Sequence, residues 1–240
     1  MVNRIIIPLD LEYSDARKMV DQFDPKICRL KIGKQLFTSA GPLAVKEFQS
    51  MGFDIFLDLK FHDIPNTVYE AVKSAADHGV WMTNVHASGG EEMLAASKKA
   101  LDDFESPPLL IGVTVLTSLS QDSLKEIGFN NLEDQVLRLA GLVKNSGLDG
   151  VVCAPTDINS IKTKFGNSFL SVTPGVRPED ADSNDQYRIS TPSEAIKRGA
   201  DYIVIGRPIT QAKNPQEALE KIHKEISLSL IHISEPTRLT

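Results

Sequence analysis

The chain carries the stretch Asp58-Leu-Lys-Phe-His-Asp-Ile-Pro-Asn-Thr67 directly after the apolar run Phe53-Asp-Ile-Phe-Leu57. The apolar run predicts a buried strand. Side chains two residues apart on a strand point the same way, so Asp58 and Lys60 share a face at its carboxyl end. Pro65 suits the first position of a helix, where its missing N–H costs nothing. The stretch therefore predicts a charged strand-to-helix junction, although an Asp-x-Lys pair taken alone is more often a tolerated ion pair.

The composition limits the kind of protein that this sequence encodes. With 41% hydrophobic and 24% charged residues, the chain of 240 residues is typical of a soluble globular protein. Its net charge of −6 argues against general nucleic-acid binding, but a locally basic pocket for a small anion remains open. No apolar run reaches the roughly 18 residues that a membrane span needs. Cys28 and Cys153 lie inside apolar runs, which predicts buried thiols in a reducing cytoplasm.

Short apolar runs alternate with helical patterns along the chain. The predicted strands are 4–10, 27–33, 53–60, 80–87, 109–117, 150–155, 169–175 and 201–207. The predicted helices are 14–23, 34–51, 65–78, 90–104, 132–145, 157–165, 193–198 and 215–226. Many strand runs are rich in Val and Ile and lack alternation, as buried parallel strands do. Eight strand–helix units in about 250 residues predict an α/β protein with the (β/α)8 TIM-barrel fold in a single domain.

The alternative fold is a doubly wound open sheet. A glycine-rich dinucleotide fingerprint after the first strand would favour it, and Asp10-Leu-Glu-Tyr-Ser14 contains none. No linker, low-complexity tract or charge block divides the chain, so we expect one barrel domain over residues 1–227.

The last residues, 228–240, do not fit the strand–helix rhythm. Their sequence is similar to the translation of a transposon adapter used in sequencing libraries. We therefore expect a non-native or disordered tail without function. The alternative is a genuine short terminal arm.

Charged and small residues follow several of the predicted strands. In a barrel of this kind, the carboxyl ends of all strands converge on one pocket. The residues at these ends include Asp10, Lys31, Asp58, Lys60, His86, Thr117, Arg177, Gly206 and Arg207. Because an unpaired buried charge is costly, so many charges at buried strand ends indicate a functional site. Gly206 with the two arginines predicts a phosphate site, which barrels often place after strands seven and eight. No metal or cofactor motif appears, so no cofactor is expected.

The sequence resembles the orotidine 5′-phosphate decarboxylase family, in its bacterial type, over most of residues 4–226. The stretch from Asp58 to Thr67 is the most specific match. Further segments match in the right order: Arg29-Leu-Lys-Ile-Gly33, Val115-Leu-Thr-Ser118, Thr173-Pro-Gly-Val-Arg177 and Val204-Ile-Gly-Arg-Pro-Ile-Thr210. The resemblance implies cofactor-independent decarboxylation of orotidine 5′-monophosphate to UMP and CO₂, the last step of de novo pyrimidine synthesis. It also implies a homodimer whose two active sites share residues.

The resemblance also implies a role for each matching residue. Lys60 would be the proton donor, Asp58 would face the scissile carboxylate, and Lys31 and Asp10 would hold the ribose hydroxyls. Lys31 would also be bonded into the chain of catalytic charges, which includes Asp63. The remaining substrate contacts would come from Asp63, Ile64, Thr67, Thr117, Arg177, Gln186, Gly206 and Arg207, with Asp63 reaching across the dimer.

Two other functions fit the pattern less well. A magnesium-dependent sugar-phosphate decarboxylase or aldolase also carries Asp-x-Lys-x-x-Asp, but it needs a further carboxylate near the end of the second strand. Lys31 occupies that position here and opposes a cation. A barrel that only senses phosphate would have lost at least one catalytic charge, and none is lost.

Overall fold

Eight parallel strands close into a barrel in chain order, because β1 pairs with both β2 and β8. The computed structural model describes residues 3–178 and 190–234, with side chains through residue 229. The strands are β1 Ile5–Pro8, β2 Arg29–Gly33, β3 Ile55–Phe61, β4 Met82–His86, β5 Leu109–Val113, β6 Gly150–Val152, β7 Leu170–Thr173 and β8 Tyr202–Val204. The predicted (β/α)8 barrel is confirmed.

Helices follow the strands on the outside of the barrel. They are α1 Tyr13–Val20, α2 Lys34–Ala40, α3 Pro42–Ser50, α4 Pro65–Asp77, α5 Gly90–Lys99, α6 Gln121–Glu126, α7 Leu132–Asn145, α8 Ile158–Phe165, α9 Pro192–Lys197, α10 Arg207–Thr210 and α11 Pro215–Ser234, with a 3-10 turn at Ala87–Gly89. Pro65 is the first residue of α4, as predicted. Within the described residues, none of these helices is both long and apolar enough to cross a membrane.

The predicted helix over 34–51 is in fact two helices. Gly41 has a φ of 58°, in the left-handed region that glycine adopts without a steric penalty, and it ends α2. Pro42 then begins α3, because its fixed φ suits a first helical position. The apolar residues of both helices form one continuous pattern in the sequence. The Gly41-Pro42 pair is therefore the sequence signal for the boundary between the two helices.

Alternate side chains of each strand enter two separate apolar clusters. Ile5 and Ile7 of β1 pack against the helices, in the cluster between the barrel and its outer layer. Ile6 belongs to a second cluster with Phe56, Met82, Ile111 and Val172. These side chains fill the barrel interior, and burying each one stabilises the fold by about 1.5–3 kcal/mol. A ligand of this barrel is therefore expected above the filled interior, at the carboxyl ends of the strands.

The amino ends of the strands are closed by a stacked cation and two rings. The guanidinium of Arg29 lies 4.2 Å from the centre of the Trp81 ring. Trp81 and Tyr202 meet edge to face with their centres 5.0 Å apart. Arg29 also forms an ion pair of 3.0 Å with Asp54, so its charge is neutralised as well as stacked. This end of the barrel is therefore a packed structural layer.

The carboxyl-terminal helix is longer than the sequence indicates. The predicted end at residue 226 is wrong, because α11 continues to Ser234. Residues 228–234 are thus helical and not an unstructured tail. Residues 235–240 lie outside the described residues, and the non-native origin of the tail stays a prediction. Among the α11 side chains that the structure describes, Ile222 and Ile226 are buried and Leu228 is half exposed.

Candidate active site

A cavity of about 550 Å³ opens at the carboxyl ends of the strands. The predicted site residues that line it are Asp10, Lys31, Asp58, Lys60, Thr117, Arg177, Gly206 and Arg207. Apolar side chains, among them Phe56 and Val172, form its floor above the filled barrel interior. The cavity of one chain therefore has polar, mostly basic side chains around its mouth and apolar side chains at its bottom.

Asp58 is the centre of the charged cluster. Its carboxylate is buried, with one oxygen 3.0 Å from Lys31 Nζ and the other 2.6 Å from Lys60 Nζ. Lys31 Nζ also lies 3.6 Å from Asp10 Oδ1. Asn84 Nδ2 donates a further hydrogen bond of 2.7 Å to Asp58 Oδ1. The charges therefore alternate in sign across the pocket, from Asp10 through Lys31 and Asp58 to Lys60.

This arrangement keeps Asp58 ionised. Burial by itself would raise the pKa of this carboxyl group, and it is the largest single influence. The ammonium groups of Lys31 and Lys60, with the hydrogen bonds from Lys60 and Asn84, oppose it and lower the pKa from 3.8 to about 2. Asp58 therefore carries a full negative charge at any physiological pH.

Lys60 reaches the pocket through an unusual backbone conformation. Its φ of 51° is the only positive value among the non-glycine residues that the structure describes. For a residue with a side chain, this conformation costs about 1–2 kcal/mol. The pairing of β3 with β4 also shifts register between Leu57 and Phe61, so Lys60 lies within an irregular part of the strand. Such strained positions persist where the surrounding structure holds them, often at functional sites.

A glycine next to the cluster allows the charges to come together. A Cβ atom at Gly33 would lie 3.1 Å from Asp10 Oδ1 and 3.2 Å from Lys31 Nζ. Both distances are tighter than ordinary van der Waals contact. A larger residue at this end of β2 would therefore make the Asp10 or Lys31 side chain shift by a few tenths of an ångström.

The opposite wall of the pocket contains the two predicted arginines. Arg177 follows β7 and is largely buried, and Arg207 begins α10 after Gly206. A Cβ atom at Gly206 would lie 3.0 Å from Pro8 Cγ, so this turn packs closely on the end of β1. Two guanidinium groups beside a glycine turn suit a phosphate, which each can bind with paired hydrogen bonds.

Three predicted site residues do not line the cavity of their own chain. Asp63, Ile64 and Thr67 are exposed at the start of α4, and 67% of the Ile64 surface is accessible. The Asp63 carboxylate accepts a 2.7 Å hydrogen bond from the backbone N–H of Ile64. A fourth predicted residue, Gln186, lies outside the described residues.

The structure also places residues in or beneath the site that the sequence analysis did not select. Gln211, just after α10, lines the same cavity as Arg207. Asn84 lies on β4 and contacts both Asp58 and Lys60. A signal for Asn84 was present, because it is an amide at an inward position near the carboxyl end of a buried strand. No comparable signal marked Gln211, which follows a helix too short to show a periodic pattern.

Two histidines lie beside the cluster. The rings of His62 and His86 have their centres 5.3 Å apart. Burial, followed by electrostatic interactions with His62 and Lys60, lowers the pKa of His86 from 6.5 to about 4. His86 is therefore neutral near pH 7. Among residues 3–178 and 190–229, no group of three or more His, Cys, Asp or Glu side chains is placed to hold a metal ion.

The chain is similar to known proteins over nearly all of its length. It is 53% identical to orotidine 5′-phosphate decarboxylase of Saccharophagus degradans over 226 residues, which cover 93% of this chain and 95% of that protein. It is 54% identical to the protein of the same name from Aliivibrio fischeri strain MJ11 over 233 residues, with 96% and 98% covered. The crystal structure of orotidine 5′-phosphate decarboxylase from Lactobacillus acidophilus superposes with a TM-score of 0.83 at 40% identity, covering 94% of this chain and 99% of that one.

A family model gives the same result independently of any single relative. The model described as the orotidine 5′-phosphate decarboxylase / HUMPS family matches residues 3–222, which include every strand of the barrel and every charged residue of the pocket. With this match, and with relatives above 50% identity along the chain, the protein belongs to the orotidine 5′-phosphate decarboxylase / HUMPS family.

Proposed function

We propose that this chain decarboxylates orotidine 5′-monophosphate to UMP and CO₂, the last step of UMP synthesis, with Lys60 as proton donor. The observation that carries the proposal is the buried Asp58 carboxylate held between the ammonium groups of Lys31 and Lys60. This cluster forms one wall of a cavity whose other wall contains Arg177 and Arg207. The family and the names of the similar proteins support the same reaction.

The reaction needs a cation where negative charge develops. When the bond between the ring and its carboxylate breaks, CO₂ leaves and the electron pair stays on the ring carbon. The Lys60 ammonium stabilises this charge as it forms and then transfers a proton from Nζ to that carbon. Lys60 is left neutral and takes up a proton from solvent before the next turnover. No cofactor is required for these steps.

Asp58 contributes by charge as well as by holding Lys60. With the substrate carboxylate about 4 Å away and an effective dielectric constant near 20, the two negative charges repel by about 4 kcal/mol. This repulsion disappears when CO₂ leaves. The low pKa of Asp58 supports the role, because a protonated carboxyl group would exert no such repulsion.

The remaining residues would orient the substrate. Lys31 and Asp10 bind the ribose hydroxyls, Thr117 contacts the base, and Gln186 would bridge the phosphate and the base. Arg177, Gly206 and Arg207 bind the phosphate. Because the phosphate is remote from the bond that breaks, its binding energy serves to position the base over Lys60.

We further propose that the enzyme is a homodimer with shared active sites and works in the cytoplasm. Asp63, Ile64 and Thr67 are exposed outside their own pocket, where they are available to a second copy. The side chains of Cys28 and Cys153 are both buried, which suits a reducing compartment. Burial raises the pKa of Cys28 to about 12, so this thiol is unreactive.

The alternative of a magnesium-dependent sugar-phosphate enzyme is disfavoured by Lys31. Its ammonium lies 3.0 Å from Asp58 and 3.6 Å from Asp10, in the space that a cation held by these carboxylates would need. Replacing that ammonium by Mg²⁺ would require the lysine to leave a buried ion pair. The cluster is thus already neutralised by its own residues.

The test is the formation of UMP and CO₂ from orotidine 5′-monophosphate by the purified protein, with and without EDTA. We expect full activity after chelation. We expect Lys60→Ala to lower kcat by about 10²–10⁴-fold, the range that general-acid catalysis contributes. Lys99→Ala is the matched control, because Lys99 is exposed at the end of α5, on the opposite face of the barrel. Absence of UMP with the wild-type protein, or dependence on Mg²⁺, would contradict the proposal.

A further inference from the structure

Asn84 is a fully buried amide beneath the active site. It lies on β4 between Met82 and His86, and its side chain points into the barrel, as that of Met82 does. Its neighbour on the adjacent strand β5 is Ile111, which is apolar. A buried amide in such surroundings is costly unless its polar atoms are hydrogen-bonded.

Both polar atoms of this amide bond to the catalytic cluster. Asn84 Nδ2 donates to Asp58 Oδ1 over 2.7 Å, and Asn84 Oδ1 accepts from the backbone N–H of Lys60 over 2.8 Å. One rigid side chain therefore connects the carboxylate of Asp58 to the main chain of Lys60. These are the two residues whose relative placement the proposed reaction depends on.

The amide also replaces a missing strand-to-strand bond. Leu57 pairs with Thr83, and Phe61 pairs with Val85. Residues 58–60 of β3 therefore lie opposite Asn84 alone, so β3 is bulged between these two pairs. Lys60 lies in that bulge, with its φ of 51°, and its N–H bonds to the Asn84 side chain. The side chain of Asn84 thus holds the irregular turn of backbone in place.

We infer that Asn84 is a positioning residue that holds Lys60 in its left-handed conformation and Asp58 beside it, so that the Lys60 ammonium points at the reacting carbon. The inference rests on the proposed function and goes beyond it. Asn84 does not line the cavity itself, so it acts through Asp58 and Lys60 and not by touching substrate. Its loss should therefore lower kcat much more than it raises KM.

The neighbouring residue provides a matched control. Thr83 is also fully buried on β4, and its hydroxyl donates 3.2 Å to the Leu57 carbonyl of β3. Its side chain points outward, away from Asp58 and Lys60. Thr83→Val therefore removes a buried hydrogen bond between the same two strands without changing the catalytic cluster.

The first experiment compares Asn84→Leu with Thr83→Val in melting temperature, kcat and KM. We expect both variants to melt below wild type, but only Asn84→Leu to lose about a hundredfold in kcat, because small misplacements of reacting groups have effects of that size. A crystal structure of Asn84→Leu should show Lys60 outside the left-handed region. A kcat of Asn84→Leu within about threefold of the Thr83→Val value would overturn the inference.

The second experiment uses Asn84→Asp, which keeps the acceptor for the Lys60 N–H and so tests the role even if Asn84→Leu does not fold. The new carboxylate would face Asp58, with Lys60, Lys31 and His86 as the other charged or titratable groups nearby. Two adjacent carboxylates repel until they share a proton. We expect the kcat of Asn84→Asp, divided by the wild-type kcat, to rise at least tenfold as the pH falls from about 8 to about 5.5.

A kcat of Asn84→Asp that stays within about threefold of the wild-type kcat at every pH would contradict the positioning role. The wild-type assay separates this inference from the proposed function. If the wild-type protein forms no UMP, both are overturned together. If the wild type is active and neither variant behaves as expected, the inference about Asn84 alone is overturned.

Discussion

At the scale of single residues, the site depends on one carboxylate that is both buried and ionised. Asp58 stays charged because two ammonium groups and an amide surround it. The same contacts that neutralise it also fix the position of Lys60. The proposed catalytic charges are therefore arranged before any substrate binds, which is what allows them to act on a developing charge without reorganisation.

The low pKa of Asp58 predicts how its contribution to stability depends on pH. The folded protein lowers this pKa from 3.8 to about 2, so the ionised group stabilises the fold above pH 4, by about 2 kcal/mol. This contribution is lost as the pH falls from about 4 toward 2. We expect the free energy of unfolding of wild type, minus that of Asp58→Asn, to decrease over this range in urea denaturation.

The control for this measurement is Asp102→Asn, which removes an exposed carboxylate outside the pocket. Its difference from wild type should stay within about 0.5 kcal/mol throughout, as for most surface substitutions. The role of the two lysines would be contradicted if the free energy of unfolding of wild type, minus that of Asp58→Asn, stayed constant or increased toward low pH.

Part of this residue-scale arrangement could be predicted from the sequence. The alternation of side chains along a strand placed Asp58 and Lys60 on one face, and the convergence of strand ends placed Lys31 near them. The left-handed backbone of Lys60 and the bond from Asn84 could not be predicted in the same way. Both follow from a register shift between β3 and β4, which depends on pairing between distant segments and leaves no local pattern.

At the scale of helices and strands, sequence periodicity located the long elements best. The predicted helix at 132–145 has the observed bounds of α7, because a regular apolar face and a capping Asn131 define its start. Short elements were missed: α6 and α10 lie in segments predicted as a connection or as the end of a strand. They are too short for a helical period to show.

The last helix provides a prediction about what holds it in place. Leu219, Ile222 and Ile226 of α11 are buried, whereas Leu228 is half exposed and the buried Ser229 hydroxyl has no hydrogen-bond partner in the described chain. We therefore expect deletion of residues 228–240 to leave the activity unchanged and to lower the melting temperature by no more than about 2 °C. Ile222→Ala should instead cost about 2–5 kcal/mol in urea denaturation, because it opens a cavity under the helix.

The outcome of the deletion bears on the origin of the tail. A loss of several degrees in melting temperature would show that residues 228–234 dock on the barrel as part of the native helix. It would also contradict the expectation that the domain ends at residue 227. The Ile222→Ala variant controls for the measurement itself, because it must show a loss if α11 packs as the structure has it.

At the scale of the whole molecule, the barrel brings together residues that are far apart in the chain. Parallel strands in chain order place Asp10 after β1 and Arg207 after β8 at the same rim, although nearly the whole sequence separates them. The sequence predicted this convergence because eight strand–helix units allow few other arrangements. It gave no direct sign that Asp63 lies outside its own pocket; that expectation came only with the resemblance to the family.

The exposed position of Asp63 leads to the final prediction, which concerns two chains. If Asp63 acts in the partner's site, Lys60→Ala and Asp63→Ala homodimers should both be severely impaired. In a heterodimer of the two variants, one site carries both defects and the other carries neither, by the two-fold symmetry of such a dimer. Subunit exchange that yields half heterodimers should then restore about a quarter of wild-type activity.

A second mixture makes this test specific. Asp58 and Lys60 line the same pocket of one chain, so a heterodimer of Lys60→Ala and Asp58→Asn has no intact site. Its activity should stay at the level of the parent variants, while the mixture with Asp63→Ala recovers. Mass spectrometry of the intact dimers verifies that exchange has occurred in both mixtures. If heterodimers form and the Asp63→Ala mixture gains no activity, Asp63 serves only its own chain, and the proposal of shared sites is wrong.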